Sequence, residues 1–313
     1  MSDRLPPLTA LRAFEAAARH MSFAKAADEL NVTPAALSYQ IKSLEADLGT
    51  PVFIRLNRAV ELTEAGRALT PGVRDGFAAI TSAWRNTRRL SDNTTLTVTA
   101  GPAFTSKWLA PRLFDFAQAH PTIELRFSAS LRLVDFDRDE VDVAIRFGLG
   151  GYSGVYSEPL VSEWVTPMMT PEMAANFGTK ETITNAPLIH DDSMDAFKIT
   201  CDWAKWARAA KVDIDPDHGA RFSQADHALD AAIAGAGVVL GRVSLAARAL
   251  ASGRLVAPFD LGLITPAQFR FVCPQGNEIR PKVKAFHDWL LDEINTSKSF
   301  AEGRTLLHAA DVE

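Results

Sequence analysis

The sequence has little cysteine and no long apolar run. Of its 313 residues, two are cysteine, Cys201 and Cys273, and neither has a histidine or another cysteine at metal-ligand spacing. Two reduced, packed thiols are the simpler interpretation, and a redox pair is the alternative. The sequence contains no run of about 18 apolar residues, the length that could cross a membrane. Its first residues also lack a secretory-signal pattern. We therefore expect a cytoplasmic protein with no cofactor.

The net charge is small, −5, but it is unevenly distributed. Residues 1–90 carry 12 Lys and Arg against 9 Asp and Glu, whereas the remainder carries 21 against 29. The modest basic excess marks the N-terminal end as the one that would contact nucleic acid. A chain of this length with 47% hydrophobic residues is expected to form two or three domains.

Residues 23–45 predict two short helices around a tight turn. Asn31 tolerates the left-handed backbone that such a turn needs. Thr33 is a good N-cap, and Pro34 suits the first position of a helix, where its missing N–H has no partner to lose. Apolar residues at helical spacing form the buried face of the second helix. They are Leu37, Ile41, Leu44 and Leu48.

The opposite face of the second helix suits the major groove of DNA. Small residues admit close approach, hydroxyls can bond base edges or phosphates, and a lysine adds positive charge. The alternative is an ordinary helical hairpin with a solvated outer face. The candidate DNA contacts on this helix are Thr33, Pro34, Ala35, Ser38, Tyr39 and Lys42.

Two short strands are predicted at 52–55 and 59–62, where they form a wing beside the helices. The wing places Arg55, Asn57 and Arg58 where they can meet phosphates or a minor groove. A helix-turn-helix followed by a wing is more specific than either part alone, and it favours DNA binding over the hairpin alternative.

Several segments occur in the order and spacing of a known family. They are Leu8 to Ala17, Ser22-Phe23 with Ala26-Ala27, Thr33 to Leu44, Gly49, Val52-Phe53, Arg55, Arg58, Leu62 to Gly66, Val134-Asp135, Val141 to Gly148 and Gly235 to Val238. In these the chain resembles the LysR-type transcriptional regulators, in particular the branch that includes the glycine-cleavage activator. One departure is Pro34, where many members carry a polar residue.

The resemblance implies three parts and no enzymatic activity. They are a winged helix-turn-helix DNA-binding domain at 1–62, a dimerisation linker helix at 63–91 and an effector-binding domain at 92–313. It also implies a homodimer or homotetramer on double-stranded promoter DNA at the bacterial nucleoid. A small metabolite would be the effector, and RNA polymerase is a further expected partner.

A long helix is predicted from Glu64 to about Arg89, with apolar residues in steps of three and four. Such a stripe packs either on its own domain or on the same helix of a second copy, and we favour the second copy. Pro71 removes a backbone hydrogen bond and predicts a bend. The stripe is Ala65, Leu69, Val73, Phe77, Ile80, Trp84 and Thr87.

Beyond residue 94, strands and helices alternate, which predicts α/β layers with largely parallel sheets. Lobe I would comprise about 92–165 and 269–298, and lobe II about 166–268, joined by two crossing strands. The whole chain is thus expected to be an α+β multi-domain protein whose C-terminal part is a two-lobed domain like the periplasmic binding proteins. The polar tail from Ser299 is expected to be poorly ordered.

Ligands of such sheets bind at the carboxyl ends of the strands, near helix N-termini. The candidates for an effector site are therefore Thr105 and Ser106 on one lobe and Ser223 and Gln224 on the other. Helix capping is the alternative role for these hydroxyls. Arg146 could pair with an effector carboxylate or with one of the acids at 135–142.

Three other patterns are discounted. The glycines at 235–241 follow a helix and precede a strand, which is the reverse of a dinucleotide site. The acids at 135–142 lack calcium-loop spacing and fit an exposed short helix, so no metal is expected. The histidines have no nucleophile arranged beside them. The sequence thus favours a DNA-binding regulator whose promoter binding or DNA bending responds to an effector. A cytoplasmic receptor whose helix-turn-helix contacts protein is the alternative.

Overall fold

The computed structural model describes residues 5–55, 60–89, 94–197, 201–295 and 300–312. The chain divides into two compact units, Met1–Ser91 and Asp92–Glu313. Among the described residues, no helix is long and apolar enough to cross a bilayer. The first unit comprises α1 (Leu8–His20), α2 (Phe23–Glu29), α3 (Pro34–Leu48), β1 (Phe53–Arg55), β2 (Val60–Leu62) and α4 (Glu64–Arg89).

The predicted helix-turn-helix is confirmed. Asn31 has φ of +56°, as the turn between α2 and α3 requires. Thr33 caps α3 by accepting a hydrogen bond from the backbone N–H of Ala36 at 3.2 Å, and Pro34 is the first helical residue. The helix ends at Gly49, whose left-handed backbone (φ +75°) is cheapest for glycine.

The core of the first unit lies between α1, α2 and α3, where Ala26 and Ala27 are fully buried. Leu37, Ile41 and Leu44 are buried as predicted. Leu48 is not, since 47% of it is exposed. It is the last residue of α3, where the helix has run past the core.

The apolar stripe of α4 divides into two halves, so the prediction that all of it faces a partner helix is wrong. Leu69, Val73 and Phe77 pack against the core of their own unit. Farther along, Ile80 is 55% and Trp84 67% exposed. The distal half alone is therefore free to meet a second copy.

The second unit is built on one nine-stranded mixed sheet, with strand order β4-β3-β5-β10-β6-β9-β7-β8 and β11 beside β10. Its strands are β3 (Thr95–Ala100), β4 (Glu124–Ala129), β5 (Val143–Gly148), β6 (Val155–Met168), β7 (Leu188–Asp191), β8 (Ala220–Phe222), β9 (Val238–Arg242), β10 (Leu261–Pro274) and β11 (Thr305–His308). Its α-helices are α5 (Leu113–Ala119), α6 (Pro171–Phe177), α7 (Trp203–Ala210), α8 (Ala225–Ile233), α9 (Val243–Ala251) and α10 (Pro281–Asn295).

Two long strands, β6 and β10, cross from one lobe to the other. Each outer part of the sheet is parallel, but β10 runs antiparallel to both β5 and β6, and β6 runs antiparallel to β9. The expectation of largely parallel sheets therefore holds only for the outer strands of each lobe. The β6–β10 pairing is irregular between Ile264 and Gln268, where the strands pass between the lobes.

The apolar core is continuous across this crossing. One cluster joins Phe104 and Phe269 of lobe I to Leu229 and Val243 on α8 and α9. A second cluster fills the rest of lobe II around Trp203, whose indole N–H donates to the carbonyl oxygen of Ile189 at 3.0 Å. The lobes are thus packed together as well as joined by two strands.

Three segments differ from expectation. The chain from residue 300 to 312 is ordered: β11 pairs in parallel with β10, and the Arg304 side chain bonds the carbonyl oxygens of Ala257 and Phe259. Helix α9 was not predicted. Residues 136–138 form a turn rather than a short helix, because the Asp135 carbonyl oxygen accepts from the N–H groups of Arg138 and Asp139.

Candidate nucleic-acid interface and effector cleft

Helix α3 turns a polar face outward from the first unit. Leu37, Ile41 and Leu44 of its core face are buried, so the opposite side is the one that any partner would meet. Tyr39 is the most prominent side chain there, with 71% of its surface exposed. Of the candidate contacts, Thr33, Pro34, Ala35, Tyr39 and Lys42 are exposed, and Ser38 is half-buried.

Glu45 fixes the end of α3 to the wing, a role that the sequence reasoning missed. Its Oε1 atom accepts hydrogen bonds from the backbone N–H groups of Val52 at 2.9 Å and Phe53 at 3.4 Å. These bonds satisfy two donors at the start of β1 with a carboxylate from α3. The only available signal was an acid one residue beyond the buried Leu44.

The start of α4 is fixed to the same strand. The Thr63 hydroxyl donates to the Pro51 carbonyl oxygen at 2.8 Å and accepts from the Gly66 N–H at 3.1 Å. A Cβ atom on Gly66 would lie 2.2 Å from the Val52 carbonyl oxygen. Only glycine therefore permits this approach of helix to strand.

An exposed ion-pair cluster braces α1 against α2. Arg19 contacts Glu15 at 3.0 Å and Glu29 at 2.5 Å, and the imidazole of His20 also lies 2.5 Å from Glu29. Hydrogen bonds from Arg19, and then from His20, lower the pKa of Glu29 to about 2. The angle between the two helices is held by these contacts at their outer ends.

The wing is described in part. Strands β1 and β2 pair antiparallel, with Ile54 opposite Glu61. Arg55 lies at the end of β1, and Asn57 and Arg58 fall outside the described residues. Their predicted contacts with DNA stay predictions.

In the second unit, Thr105 and Ser106 lie in a π-helical segment, Phe104–Leu109, after β3. We expected them at a helix start with free N–H groups, and this is wrong. The helix already begins at Pro102, and the Thr105 N–H donates to the Gly101 carbonyl oxygen at 2.9 Å. A single π turn inside a helix is often found at functional sites.

The π-helical segment contacts lobe II through two polar pairs. The Ser106 hydroxyl lies 3.1 Å from Oδ2 of Asp226, and Lys107 Nζ lies 2.5 Å from Oδ1 of Asp230. Both aspartates are on α8, so the edges of the lobes meet here. We call this contact the seam. Of the two predicted lobe I residues, Ser106 contacts α8, the helix that follows Ser223 and Gln224.

Ser223 and Gln224 immediately precede α8. Ser223 is exposed, and Gln224 occupies the N-cap position without a capping hydrogen bond from its side chain. Among the described residues, the Thr105 hydroxyl is buried without a hydrogen-bond partner. Helix capping therefore does not account for Thr105 or Gln224.

The Arg146 side chain hydrogen-bonds the backbone of a loop, not the carboxylate of an acid. It donates to the carbonyl oxygens of Ser130 at 2.7 Å and Arg132 at 3.0 Å, and it forms an ion pair with none of the described acids. Burial lowers the pKa of its guanidinium below the ordinary value. The nearby Asp142 pairs instead with the buried Lys282 at 3.2 Å.

Arg242 was missed by the sequence reasoning. It ends β9, pairs with Asp191 at 3.2 Å, bonds the Ser193 hydroxyl at 2.8 Å and lies over the ring of Phe147 from lobe I, 4.7 Å from its centroid. It is buried, so a cation–π contact of this kind is substantial. A charged residue at the carboxyl end of an apolar strand was the available signal.

Glu163 lies on β6 where the strand passes between the lobes, and it is buried. It accepts hydrogen bonds from the N–H groups of Trp164 and Ser244 at 3.1 and 3.2 Å and from the Ser244 hydroxyl. Burial raises its pKa above the ordinary value. A cavity of about 360 Å³ adjoins it, with mainly apolar walls that include Leu160 and Ile294.

A second cavity, of about 180 Å³, lies at the end of β7 and is lined by acids, His190 and Arg221. His190 bonds the carbonyl oxygen of His218 at 3.0 Å, and Arg221 forms a bidentate pair with Asp192. Within the described ranges, no group of three or more possible ligands could hold a metal ion. Neither cavity is lined by the predicted effector contacts.

The two cysteines are free thiols in separate clusters, Cys201 in lobe II and Cys273 in the larger core. Burial raises the pKa of each thiol to about 12. Thiols this protonated are poor nucleophiles, which favours packed cysteines over a redox pair.

Comparisons with known proteins cover both units. A family described as bacterial regulatory helix-turn-helix protein, lysR family, matches residues 8–67, and one described as LysR substrate binding domain matches residues 90–295. The glycine cleavage system transcriptional activator of Escherichia coli (strain K12) is 40% identical over 295 residues, which are 93% of this chain and 95% of that protein. The activator AmpR of Citrobacter koseri is 34% identical, over 91% of this chain and 97% of that protein. The solved effector domain of AmpR from Pseudomonas aeruginosa is 30% identical with a TM-score of 0.54, covering 66% of this chain and 99% of that domain.

Proposed function

The chain belongs to the LysR family of transcriptional regulators, and from this we propose that a metabolite held in the second unit controls its promoter binding or DNA bending. Like other members, it has a helix-turn-helix DNA-binding domain and an effector-binding domain, and it is not an enzyme. We place the domain boundaries at 1–62, 63–91 and 92–313, with the middle segment as the linker helix.

The outer face of α3 is the observation that supports DNA binding by the first unit. A helix whose apolar residues Leu37, Ile41 and Leu44 are buried, whose start is capped and whose other face is exposed can enter a major groove without disturbing its own core. We propose that Thr33, Pro34, Ala35, Ser38, Tyr39 and Lys42 contact DNA there. Arg55, Asn57 and Arg58 on the wing would contact phosphates or the minor groove.

We propose that α4 pairs with α4 of a second copy through its distal half. The support is the exposure of Ile80 and Trp84, one helical turn apart on a single face. A dimer would present two copies of α3 to two half-sites. Assembly into a homotetramer would repeat the arrangement.

The effector is proposed to bind at the seam, with Thr105, Ser106, Ser223 and Gln224 as contacts and Arg146 bracing the loop beside them. The support is that α8 and the π-helical segment meet there. Because Ser106 and Lys107 already bond α8, entry of an effector has to separate these pairs. The exposed ion pair costs little to break, about 0–1 kcal/mol.

The glycine cleavage system relative and AmpR are both named as activators, and we propose that this chain also activates transcription, with RNA polymerase as its partner at the promoter. Its place of action would be the bacterial nucleoid in the cytoplasm, where promoter DNA is found.

The test is to incubate the purified protein with sheared genomic DNA of its source at physiological salt, and to sequence the fragments that it retains. We expect a few sites, each with an interrupted inverted repeat, to be strongly enriched. No enrichment over input by a folded protein, with or without a cell metabolite extract, would contradict the proposal. The alternative receptor function would then be favoured.

A further inference from the structure

Asp226 is an unusual aspartate of the second unit, because its side chain is buried at the seam and forms no ion pair with any residue that the structure describes, whereas Lys107, the cation of the seam, pairs with Asp230. It lies on α8 and is 9% exposed. The hydroxyl of Ser106 donates to its Oδ2 atom at 3.1 Å. Its Oδ1 atom is buried and has no hydrogen-bond partner within the described part of the chain.

Other aspartates with buried side chains in this unit are neutralised. Asp142 pairs with the buried Lys282, and Asp191 pairs with the buried Arg242, each at 3.2 Å. Asp226 forms no ion pair with any residue between 94 and 295 that the structure describes. A buried carboxylate is costly unless it is paired and hydrogen-bonded, so Asp226 lacks what the other two have.

A second buried acceptor without a described partner lies on the π-helical segment that carries Ser106. The Thr105 hydroxyl, one residue before Ser106, is also buried and unpartnered among the described residues. A hydroxyl accepts hydrogen bonds through two lone pairs, and a carboxylate oxygen only accepts. Asp226 Oδ1 therefore calls for a donor, best a positively charged one, and the Thr105 hydroxyl can accept a further hydrogen bond from the same group.

We infer that the effector carries an ammonium group that donates to Asp226 Oδ1 and to the Thr105 hydroxyl. This rests on the proposed function, since it assigns a ligand class to the same cleft. The ammonium group would supply the missing cation for Asp226 and would tie α8 to the π-helical segment. A metabolite without a hydrogen-bond donor would leave both acceptors unpaired, and an uncharged donor would leave the Asp226 carboxylate without a cation.

The experiment is a thermal-shift titration of the full-length protein with pairs of small molecules that differ mainly in the amine. The pairs are glycine and acetate, β-alanine and propionate, 4-aminobutyrate and butyrate, and putrescine and 1,4-butanediol. We expect an amine to raise the melting temperature where its counterpart does not. In Asp226→Asn the apparent Kd for that amine should rise by about tenfold to a hundredfold, and Thr105→Val should weaken binding to a lesser extent.

Asp213→Asn is the matched control, because it removes the same charge from an exposed position of the same lobe. It should bind the amine as the unmodified protein does. Stabilisation by counterparts without an amine, stabilisation by none of the amines, or an amine affinity that Asp226→Asn leaves unchanged would overturn the inference. The recovery of genomic fragments is a separate readout, so the regulator proposal can stand when this assignment fails.

Discussion

At the scale of single residues, α3 uses different side chains to stabilise its own unit and to present a face for the proposed contact with DNA. Glu45 points to the wing and bonds the backbone of Val52, whereas Tyr39 stands on the other side, 71% exposed. A substitution on the outer face should therefore remove the proposed contacts with DNA and leave the core intact. The two kinds of outer residue, hydroxyl and cation, should also differ in what they contribute to binding.

Ser38→Ala and Tyr39→Ala should each weaken binding to a recovered operator by about 1–3 kcal/mol for every hydrogen bond to a base that the change removes, with little effect on random DNA. Lys42→Ala should weaken binding to both DNAs and reduce the salt slope by about one. Fluorescence anisotropy at several salt concentrations measures all three. An equal weakening on operator and random DNA for every variant would refute this division.

The buried Glu163 should make the stability of the folded protein depend on pH. Its pKa is raised by burial, so the protonated form stabilises the fold below the ordinary carboxyl pKa, and this stabilisation is lost as pH rises through the raised value. Glu163→Gln keeps an oxygen for the two N–H groups and an amide for the Ser244 hydroxyl. It should raise the melting temperature by about 2–4 °C at pH 8, and by less towards pH 5.

Glu302→Gln, an exposed carboxylate of the same unit, provides the control for that titration. It should show no such pH trend. A Glu163→Gln protein that is less stable than the parent at pH 8 would mean that the buried carboxylate is favourable when charged.

At the scale of elements, the junction of α4 with the wing is the most tightly constrained contact of the first unit. Gly66→Ala places a methyl group 2.2 Å from the Val52 carbonyl oxygen, so helix and strand must move apart. The change should cost about 1–3 kcal/mol of unfolding free energy. Urea unfolding followed by circular dichroism measures it in the transition of the first unit.

Gly72→Ala in the same helix is the matched control, since no atom lies within 4 Å of its new Cβ. Alanine favours a helix interior over glycine, so this variant should gain up to about 1 kcal/mol. A destabilisation of similar size in both variants would show that the Val52 carbonyl oxygen is not the cause.

The distal half of α4 is the proposed dimer interface, and a charge placed on it tests this role. Ile80→Asp places a charge on the exposed apolar face and should turn dimers into monomers with poor operator binding. Ala78→Asp, an exposed residue on the other side of the helix, should not. Light scattering measures the mass, and an unchanged mass for Ile80→Asp would remove this face from the dimer interface.

The sequence could predict those elements whose limits are set by residues close by in the chain. Thr33, Pro34 and Gly49 act within one turn of the residues that they cap, and the limits of α3 were predictable from them. The π-helical segment at Phe104–Leu109 and the ordered β11 depend on contacts with distant parts of the chain, as with the bond from Arg304 to Ala257. No local pattern encodes such contacts.

At the scale of the whole molecule, the chain joins a basic DNA-binding end to an acidic effector end. The sequence predicted that Ser106 and the start of α8 belong to one cleft, and the structure places Ser106 against α8. The electrostatics of this cleft were not predictable, because the absence of a partner for Asp226 Oδ1 among the described residues and the position of Arg242 over Phe147 depend on how the lobes pack. Sequence spacing contains no information about either.

The most direct test of the central claim is a hydroxyl-radical footprint of the protein on a recovered operator. Two copies of α3 in a dimer should protect two related half-sites on one face of the DNA, about 34 Å or a multiple of it apart. Ile80→Asp should abolish the paired pattern. One asymmetric protected patch, unchanged in Ile80→Asp, would contradict a dimeric regulator that reads DNA through α3.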